Sequence, residues 1–531
     1  MNTEVVRVGL TDNNFQNVLK QQVIVFGTAD CEIYDLKTGK ILLRVPANKE
    51  IMITNLLSGM EVLANGSGAT LQNFVILCPT GLLGVKGLKR KGMQALYHGA
   101  FEINQEANKS GFYLINLIEV QDYLKGVVPN EMPIKFGLEA LKAQAVAARN
   151  YVMMPKTQSN PVYNVVDSVA SQVYFGANTE SDISTRAVME TDGVVALYNH
   201  DLILTLYSST AGGYTESYSN AFSDPYTKAF PSADKPYLSA IPDKEYFEQL
   251  DTEENAREFY MNKIPSYDIE SPYYRWKRIW AVGELENVLK KTLPEQSKTG
   301  FVTPSFSKND ELGQIKGINV MKRGKSGKVI ELDLLTTKGC YRISKELVIR
   351  RVFQKDGISL PSANIVFDYI YDAENEITDI IINGGGYGHG VGMSQFGAGY
   401  MAMKMEQPYY NILRHYYKGI SLGTKPVEIM GKEIEQTFWA PVGRAQIVIN
   451  GVSAPKINVM INGKTYELPV NRSLFQSVVK IDISRYIEDG QNKIIFYPSY
   501  IPMKAYVELI ESYNTCIYSK PIEDEGDESE E

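Results

Sequence analysis

The chain has 531 residues, more than a single hydrophobic core accommodates, so we expect about two to four domains. Hydrophobic residues make up 44% and charged residues 22%, which is ordinary for a soluble globular protein. Seven acids lie in the final segment "EDEGDESEE" (523–531), so the rest of the chain is nearly neutral despite a formal charge of −8. A nearly neutral body has no basic surplus to bind nucleic acid, and we expect no nucleic-acid partner.

The sequence shows no clear pattern for membrane insertion or export, and none for a disulfide scaffold or a zinc site. No apolar run reaches the ~18 residues of a membrane span, and the start "MNTEVVRVGL" lacks the layout of a signal peptide. The four cysteines (31, 78, 340 and 516) are scattered, without C-x-x-C or zinc-type spacing. The acidic tail, 519–531, is predicted to be disordered.

The N-terminal region, residues 4–115, is predicted to be rich in β-strands. Runs such as "VVRVGL" and "QQVIVF" are separated by turn residues such as "LKTG", "ANGSG" and "NKSG". From "YLINLIEVQDYLKGVV" onward the pattern favours helix. Leu138, Leu141, Ala145, Ala148 and Val152 recur at helical spacing and line one face.

Glu131 lies in the apolar turn "VVPNEMPI", just ahead of that helix. Pro133 disfavours the helical conformation for Met132, so we expect a stiff turn. A carboxyl held among apolar groups has a raised pKa, as a general acid near neutral pH requires. The residues leave two alternatives open, a solvent-facing side chain or an ion pair with Lys135 or Lys142.

Residues 384–401, "GGGYGHGVGMSQFGAGYM", are dense in glycine. Glycines permit close backbone approach and unusual backbone angles, but neither G-x-x-x-x-G-K-[ST] nor G-x-G-x-x-G is present, so no nucleotide site is expected. Tyr387, His389, Ser394 and Gln395 are the polar groups here. A lone histidine is more often structural than catalytic, and the four histidines lie far apart, which disfavours a metal site.

Further strands are expected at 193–217 and in "KVIELDLL", and further helices in "AREFYMNKI" and "YYNILRHYY". Residues 432–518 form a separate unit in this interpretation. Asn450-Gly451, Asn462-Gly463 and Asp489-Gly490 lie between alternating strands, a hairpin signal. The fold class is therefore α+β, a mixed core with a β-rich N-terminal region, plus a C-terminal antiparallel β-sandwich of accessory role. The stretch 422–433 is predicted to be a linker between the two units.

The motifs together resemble a family. "YLKGVVPNEMP…EALKAQAVAARNY" with "GGGYGHGVGMSQFGAGYMA…ILRHYYKG" is similar to the SpoIID/LytB family of sporulation and cell-wall proteins. "VVRVGL", "SQVYFG", "SSTAGGYTES" and "YYRWKR" match its pattern in order. The resemblance spans about residues 4–424, with the β-rich region at 4–115 and the core at 116–424, and it does not cover the sandwich or the tail.

The resemblance implies a lytic transglycosylase that cleaves peptidoglycan between N-acetylmuramic acid and N-acetylglucosamine and leaves a 1,6-anhydro end. It makes Glu131 the catalytic acid/base and implies that other motif positions line the glycan groove, namely Lys142, Arg149, Tyr387, His389, Ser394 and Gln395. Some members bind zinc through cysteine and histidine where this chain has "SSTAGGYTES", so no metal or other cofactor is expected. Tyr214 and Thr215 are expected to fill that space.

Two other functions remain open. The chain could be a non-catalytic glycan-binding module that stimulates a cell-wall amidase, as the LytB name suggests, and other cell-wall hydrolases would then be partners. It could also be an ordinary hydrolase in which Glu216 or Asp167 supplies the second carboxylate that such chemistry needs. Because the implied substrate, peptidoglycan strands, lies outside the cytoplasmic membrane, we expect an extracytoplasmic location, although no export segment is visible in this chain.

Overall fold

The computed structural model describes residues 4–154, 160–244, 249–441, 443–451, 455–470, 477–499 and 503–510. The acidic tail and Cys516 lie outside these residues. The chain divides into two compact units, Met1–Leu422 and Gly423–Glu531. Strands in several sheets and a smaller set of helices confirm the α+β class. No helix within the described residues is long and apolar enough to cross a membrane.

The chain up to residue 119 forms strands, as predicted for its N-terminal region. They are β1 (Val5–Gly9), β2 (Leu19–Lys20), β3 (Gln22–Gly27), β4 (Cys31–Asp35), β5 (Ile41–Val45), β6 (Ile51–Leu56), β7 (Gly59–Ala64), β8 (Ser67–Leu71), β9 (Asn73–Leu77), β10 (Leu83–Arg90), β11 (Met93–Tyr97), β12 (Ala100–Gln105) and β13 (Phe112–Glu119). One sheet has the order β1-β13-β12-β9-β4-β5, and the other β11-β10-β3-β6-β7-β8.

The change from strand to helix comes later than the sequence pattern indicates. Residues 113–119, "YLINLIE", continue β13, which pairs with β1 on one side and β12 on the other. Leu114, Ile115 and Ile118 are all buried. A strand with neighbours on both edges and apolar packing on both faces loses its period-2 alternation, so its sequence cannot be told from a buried helix.

The helices follow. They are α1 (Val120–Glu131), α2 (Leu138–Met153), α3 (Asp182–Met189), α4 (Tyr218–Ala221), α5 (Glu253–Met261), α6 (Val282–Ser297), α7 (Glu346–Val352), α8 (Gln395–Met403) and α9 (Tyr409–Tyr416). In α2 the predicted apolar face is buried except for the partly exposed Leu138, but Gln144, Arg149 and Asn150 are buried as well. These buried polar side chains must find hydrogen-bond partners within the protein.

The remaining strands of the first unit are β14 (Val165–Val166), β15 (Val195–Tyr198), β16 (Asp201–Leu202), β17 (Tyr207–Ser208), β18 (Trp276–Ala281), β19 (Val302–Thr303), β20 (Ile315–Arg323), β21 (Val329–Thr336), β22 (Gly339–Ser344), β23 (Ile365–Tyr371), β24 (Ile377–Gly384), β25 (Met393–Ser394) and β26 (Ser421–Gly423). Sheets β18-β24-β23 and β19-β22-β21-β20 enclose a second core with α6 and α7. Trp280, Leu289 and Phe353 are buried in it. The core supports β24, which leads directly into the glycine segment.

The second unit confirms the predicted antiparallel sandwich. Its strands are β27 (Val427–Glu428), β28 (Ile434–Ala440), β29 (Ala445–Asn450), β30 (Lys456–Ile461), β31 (Lys464–Pro469), β32 (Val478–Asp482), β33 (Gly490–Phe496) and β34 (Lys504–Leu509). β34, β29 and β32 pair in one sheet, and β28-β33-β30-β31 form the other.

Only one of the three dipeptides predicted as hairpin turns joins two paired strands. Asn462-Gly463 connects β30 and β31, with Ile461 opposite Lys464 and both turn residues at positive φ. The strands that flank Asn450-Gly451 lie in different sheets, and so do β32 and β33 around Asp489-Gly490. A sandwich must pass its chain from sheet to sheet, so an Asn-Gly or Asp-Gly pair does not by itself identify a hairpin.

The segment expected to be a linker is part of the second unit. Thr424 exchanges hydrogen bonds with Val507, and β27 pairs with β34 through Val427 opposite Ala505. The sequence pattern did not indicate this strand, because β27 has only two residues. The compact unit therefore begins near residue 423.

Candidate functional site

Glu131 is the last residue of α1. Met132 has an extended backbone, as expected for a residue before proline, and its N–H donates to the carbonyl of Val128. The helix therefore ends at the glutamate, and the turn through Pro133 leads into α2. The side chain is partly exposed, while Val127, Val128 and Met132 beside it are buried. Glu131 thus keeps part of its surface exposed, and its neighbours along the chain are apolar and buried.

The carboxyl of Glu131 has little compensation for its charge. Its Oε1 accepts one hydrogen bond, from the Val173 N–H at 2.5 Å. Burial raises the pKa of Glu131 to about 7, and the Val173 hydrogen bond opposes that rise. No lysine or arginine in the described part of the chain forms an ion pair with it, and Lys142 pairs with Glu139 and Glu190 at 2.7 Å each. The carboxyl is therefore about half protonated near neutral pH.

Three tyrosines surround Glu131. The pKa values of Tyr123, Tyr151 and Tyr207 are raised, first by burial and next by the negative charge of Glu131. Gln172 joins two of them, because its Oε1 accepts from the Tyr123 hydroxyl at 3.1 Å and its Nε2 donates to the Tyr207 hydroxyl at 3.0 Å. These rings stay neutral in the physiological range and supply no cation to stabilise the ionised glutamate.

The glycine segment meets this group through Tyr207. β17 pairs in parallel with β25, so Tyr207 lies beside Met393. Gly392 has φ +74°, and a Cβ there would lie 2.1 Å from the Leu206 carbonyl oxygen, so only glycine allows this approach. Gln395 extends the junction, since its Nε2 donates to Gln144 Oε1 at 3.2 Å. The two motifs singled out in the sequence are thus joined in space.

His389 is partly exposed within the glycine segment. Its Nδ1 accepts from the Val391 N–H at 3.0 Å, and its ring packs edge-on against Phe222 at 5.2 Å. Burial and then the positive charges of Lys328 and Arg350 lower the pKa of His389 to about 3, against the opposing effect of a hydrogen bond to the Tyr207 backbone. The imidazole is therefore neutral at physiological pH and interacts through hydrogen bonds, not through charge.

A buried lysine lies beneath His389. Lys328 is fully buried, and its Nζ has no hydrogen-bond partner among the described residues. A Cβ on Gly390 would lie 3.7 Å from that nitrogen. Burial lowers the pKa of Lys328, whereas Glu346 and Glu216 favour its charged form. Nothing in the sequence around Lys328 signals this position.

The residues expected to contact glycan fall into two groups. Tyr387 is 44% exposed and packs on Tyr273 with ring centroids 4.5 Å apart, so it and the partly exposed His389 present side-chain surface. Ser394 is fully buried and caps α8, accepting from the Gly397 N–H at 3.3 Å. Gln395 is mostly buried against Gln144. Ser394 and Gln395 therefore hold the segment in place from below.

The two cations expected in the groove lie in the scaffold. Arg149 is buried and donates to the carbonyls of Val194 and Val188 and to the side chains of Gln121 and Thr191. Burial lowers the pKa of Arg149 to about 10. Lys142 is held between Glu139 and Glu190. Both cations thus join α2 to neighbouring elements. Their spacing along the helix could not show whether they contact a ligand or other parts of the protein.

Neither alternative carboxylate is available as a partner for Glu131. Asp167 is buried in an ion pair with Arg90 at 2.6 Å and also accepts from Thr11. Glu216 is buried and accepts from the Ser326 hydroxyl at 2.6 Å. Two-carboxylate hydrolysis therefore lacks a second group at these positions. No cluster of three or more metal-ligating side chains occurs within the described residues.

The stretch where zinc-binding relatives carry cysteine and histidine is closely packed. Tyr214 and Thr215 are both buried, and the Thr215 N–H donates to the Ile241 carbonyl at 2.9 Å. The motifs "SQVYFG" and "SSTAGGYTES" gave no indication of the roles of Gln172, Val173 and Tyr207. Motif membership was the available signal for the first two, since both lie in "SQVYFG".

Two family models match the chain. Residues 108–198, which include Glu131 and Val173, match the model described as SpoIID, Stage II sporulation protein. Residues 224–392, which include Lys328 and His389, match a domain of unknown function, DUF8618.

Similar proteins come from several bacteria. The amidase enhancer of Bacillus subtilis (strain 168) is 32% identical over 303 residues, which are 56% of this chain and 40% of that protein. This chain thus spans less than half the length of the enhancer. Stage II sporulation protein D of Bacillus amyloliquefaciens is 29% identical over 57% of this chain and 74% of its own. An uncharacterized protein of Brachyspira hyodysenteriae is 25% identical over 82% of this chain and 97% of its own.

Proposed function

We propose, from the premise that the chain carries a domain of the SpoIID family, that it is a lytic transglycosylase of the bacterial cell wall. Its substrate in this proposal is the peptidoglycan glycan strand, cleaved at the β-1,4 bond between N-acetylmuramic acid and N-acetylglucosamine. The observation that carries the proposal is Glu131, a partly exposed glutamate with no cationic partner in the described structure and a pKa raised by burial to about 7. A group of this kind serves as acid and as base near neutral pH.

One carboxyl suffices for this chemistry. Protonated Glu131 donates its proton to the glycosidic oxygen as the C1–O bond breaks, and the N-acetylglucosamine side leaves as an alcohol. The resulting carboxylate then removes the proton from the 6-hydroxyl of the muramic acid, whose oxygen bonds to C1. The glutamate is regenerated in its protonated form and no water is consumed. Ordinary hydrolysis needs a second carboxylate instead, and the structure supplies none at Asp167 or Glu216.

Other residues contribute binding and support. Tyr387 and His389 contact the glycan in this proposal, because they present surface beside the Tyr207 junction. A neutral His389 donates or accepts a hydrogen bond with a sugar hydroxyl without attracting a counter-ion. The other four predicted residues support the site without contacting the glycan. They hold α2 and the glycine segment in position, and they are Lys142, Arg149, Ser394 and Gln395.

A second candidate function is favoured by the match to a protein named amidase enhancer. In that case the chain binds glycan and increases the activity of a separate cell-wall hydrolase, without cleaving the strand itself. Either function places the protein outside the cytoplasmic membrane, where peptidoglycan lies.

The full chain incubated with purified peptidoglycan tests the proposal. We expect products with 1,6-anhydro-muramic acid ends, identified by mass spectrometry. In water enriched in ¹⁸O these ends carry no label, whereas hydrolysis would place ¹⁸O at the new reducing end. Glu131→Gln should reduce cleavage by about 100-fold or more, because glutamine cannot transfer a proton.

Glu119→Gln is the matched control, since Glu119 is exposed at the other end of α1, and it should retain full activity. Reducing ends labelled with ¹⁸O would overturn the transglycosylase assignment. If neither the unaltered protein nor Glu131→Gln cleaves the strands, but both stimulate an added amidase equally, the enhancer function is correct.

A further inference from the structure

A cleft of about 480 Å³ in the first unit lies close to His389 and has no assigned role. Its walls are the turn 222–228, the segment 299–301 and Lys345. Except for Phe222 and Ser223, the residues that line the cleft fall within the match to the domain of unknown function. The cleft is open to solvent on one side, so a chain-like ligand can enter it without a conformational change.

The cleft has a net positive charge. Lys228 and Lys345 both line it. Burial lowers the pKa of Lys345, the charge of Glu346 opposes that effect and the nearby charge of Lys228 adds to it. Neither lysine forms an ion pair with any carboxylate in the described part of the chain. Asp224 also lines the cleft, but its Oδ1 accepts from the N–H groups of Tyr226 and Thr227 and shapes the turn.

Both ammonium groups are held in place. Lys345 Nζ donates to the Ser223 hydroxyl at 2.8 Å and lies 4.9 Å from the centre of the Phe301 ring. Lys228 Nζ donates to the Pro225 carbonyl at 2.7 Å. Each of these lysines has a positive φ, +74° for Lys345 and +63° for Lys228, which is costly for a residue with a Cβ. The two ammonium groups that line the cleft each keep unused donors for an anion.

Aromatic rings line the same cleft. Phe222 and Phe301 lie in its walls, and Tyr226, at the tip of the turn, is 84% exposed. Rings of this kind pack against the apolar C–H faces of sugars, whereas the two lysines select an acidic group. A ligand that combines sugar rings with carboxylates matches both features, and a simple inorganic anion matches only one.

The cleft is connected to the Glu131 site through aromatic contacts. Phe222 packs edge-on against His389 at 5.2 Å and stacks on Tyr218 at 5.1 Å. His389 in turn is hydrogen-bonded to the backbone of Tyr207, whose side chain neighbours Glu131. Phe222 therefore borders both His389 and the cleft, and His389 is linked through Tyr207 to the surroundings of Glu131.

We infer that the Lys228–Lys345 cleft is a binding subsite for a carboxylate of the glycan strand. The inference rests on the proposed function, because it requires the strand to occupy the Glu131 site. The carboxylate has two sources in peptidoglycan. In strands without stem peptides it is the lactyl carboxylate of muramic acid, and in strands with stem peptides it belongs to the peptide.

The test measures binding separately from cleavage. Lys228→Gln and Lys345→Gln are introduced together into the full chain that carries Glu131→Gln, so that the strands remain intact. Kd is measured by titration calorimetry for three probes: glycan strands stripped of stem peptides, strands that retain them, and N-acetylglucosamine oligomers, which have no carboxylate. Lys290→Gln with Lys291→Gln is the matched control, since both lysines are exposed on α6 away from the cleft residues.

We expect the cleft variant to bind carboxylate-bearing strands about 10-fold or more weakly, as for the loss of hydrogen bonds to a charged group, and to bind the neutral oligomers normally. Weakening confined to stripped strands identifies the lactyl carboxylate, and weakening confined to the other strands identifies the stem peptide. Equal weakening for neutral oligomers, no weakening at all, or the same loss in the control overturns the subsite.

The proposed function and the subsite can be refuted independently of each other. If the protein with Glu131 intact yields no anhydro ends but the lysine pair still determines affinity for acidic strands, the transglycosylase is wrong and the subsite stands. If anhydro ends form and affinity is independent of the lysines, the subsite alone is wrong.

Discussion

Replacing Glu131 by glutamine should remove activity and at the same time stabilise the protein at alkaline pH. Burial raises the pKa of this carboxyl from 4.5 to about 7, which corresponds to about 3 kcal/mol against the ionised form. A raised folded-state pKa gives stability that is present below the unfolded-state value of 4.5 and is lost as the pH rises through about 7. Glutamine has the same shape and stays neutral, so it avoids this loss.

The size of the effect depends on pH. At pH 8 the carboxyl is ionised in both states, and Glu131→Gln should raise the free energy of unfolding by up to about 3 kcal/mol. At pH 5 the folded protein keeps Glu131 protonated, and the gain should fall below about 1 kcal/mol. The measurement is urea unfolding at both pH values. Glu119→Gln, at an exposed site, should change neither value by more than about 0.5 kcal/mol.

Cleavage by the unaltered protein should fall about tenfold for each pH unit above about 7, because only protonated Glu131 donates to the glycosidic oxygen. The tyrosines nearby remain neutral there and do not interfere. A stability gain that is equal at pH 5 and pH 8 would refute the raised pKa. A Glu131→Gln protein with more than a tenth of normal activity would refute the catalytic role.

Four further predictions concern the groups around the site and the division into two units. Lys328→Met should raise the pKa of His389 above about 3, since it removes a nearby positive charge; an NMR titration of the histidine ring that shows no change would contradict the electrostatic coupling. Arg149→Met should lower the free energy of unfolding by about 3 kcal/mol or more, because three buried acceptors and one partly buried acceptor lose their charged donor. Lys142→Met should cost less than Arg149→Met in the same urea assay, because Lys142 is less deeply buried. A chain that ends at Leu422, the last residue of the first compact unit, should still cleave soluble strands, and loss of that activity would mean that the sandwich is not accessory.

The sequence alone singled out Glu131 as the candidate acid, for a local reason. Proline at 133 forces Met132 into an extended backbone, and apolar neighbours surround the glutamate. The end of α1 depends on residues within this turn and could be predicted without the fold, whereas the apolar neighbours only indicated a raised pKa that burial in the folded chain produces. The same holds for α2, whose apolar spacing is local.

Long-range contacts decided what local patterns could not. Ser394 and Arg149 carry polar groups at motif positions, yet tertiary packing buries them and uses them as a helix cap and as a link between elements. The strand at 113–119 resembled helix because neighbours on both edges remove its alternation. Such outcomes depend on which distant segment packs nearby, and residue spacing contains no information about that.

Composition and local pattern thus determined the α+β class, the sandwich and the candidate acid. The tertiary structure alone placed Tyr207 between Glu131 and His389, and Phe222 between His389 and the lysine cleft. These residues lie far apart along the chain. A carboxyl acquires its pKa and a site acquires its ligand contacts from the whole three-dimensional surround, which only the packed fold brings together.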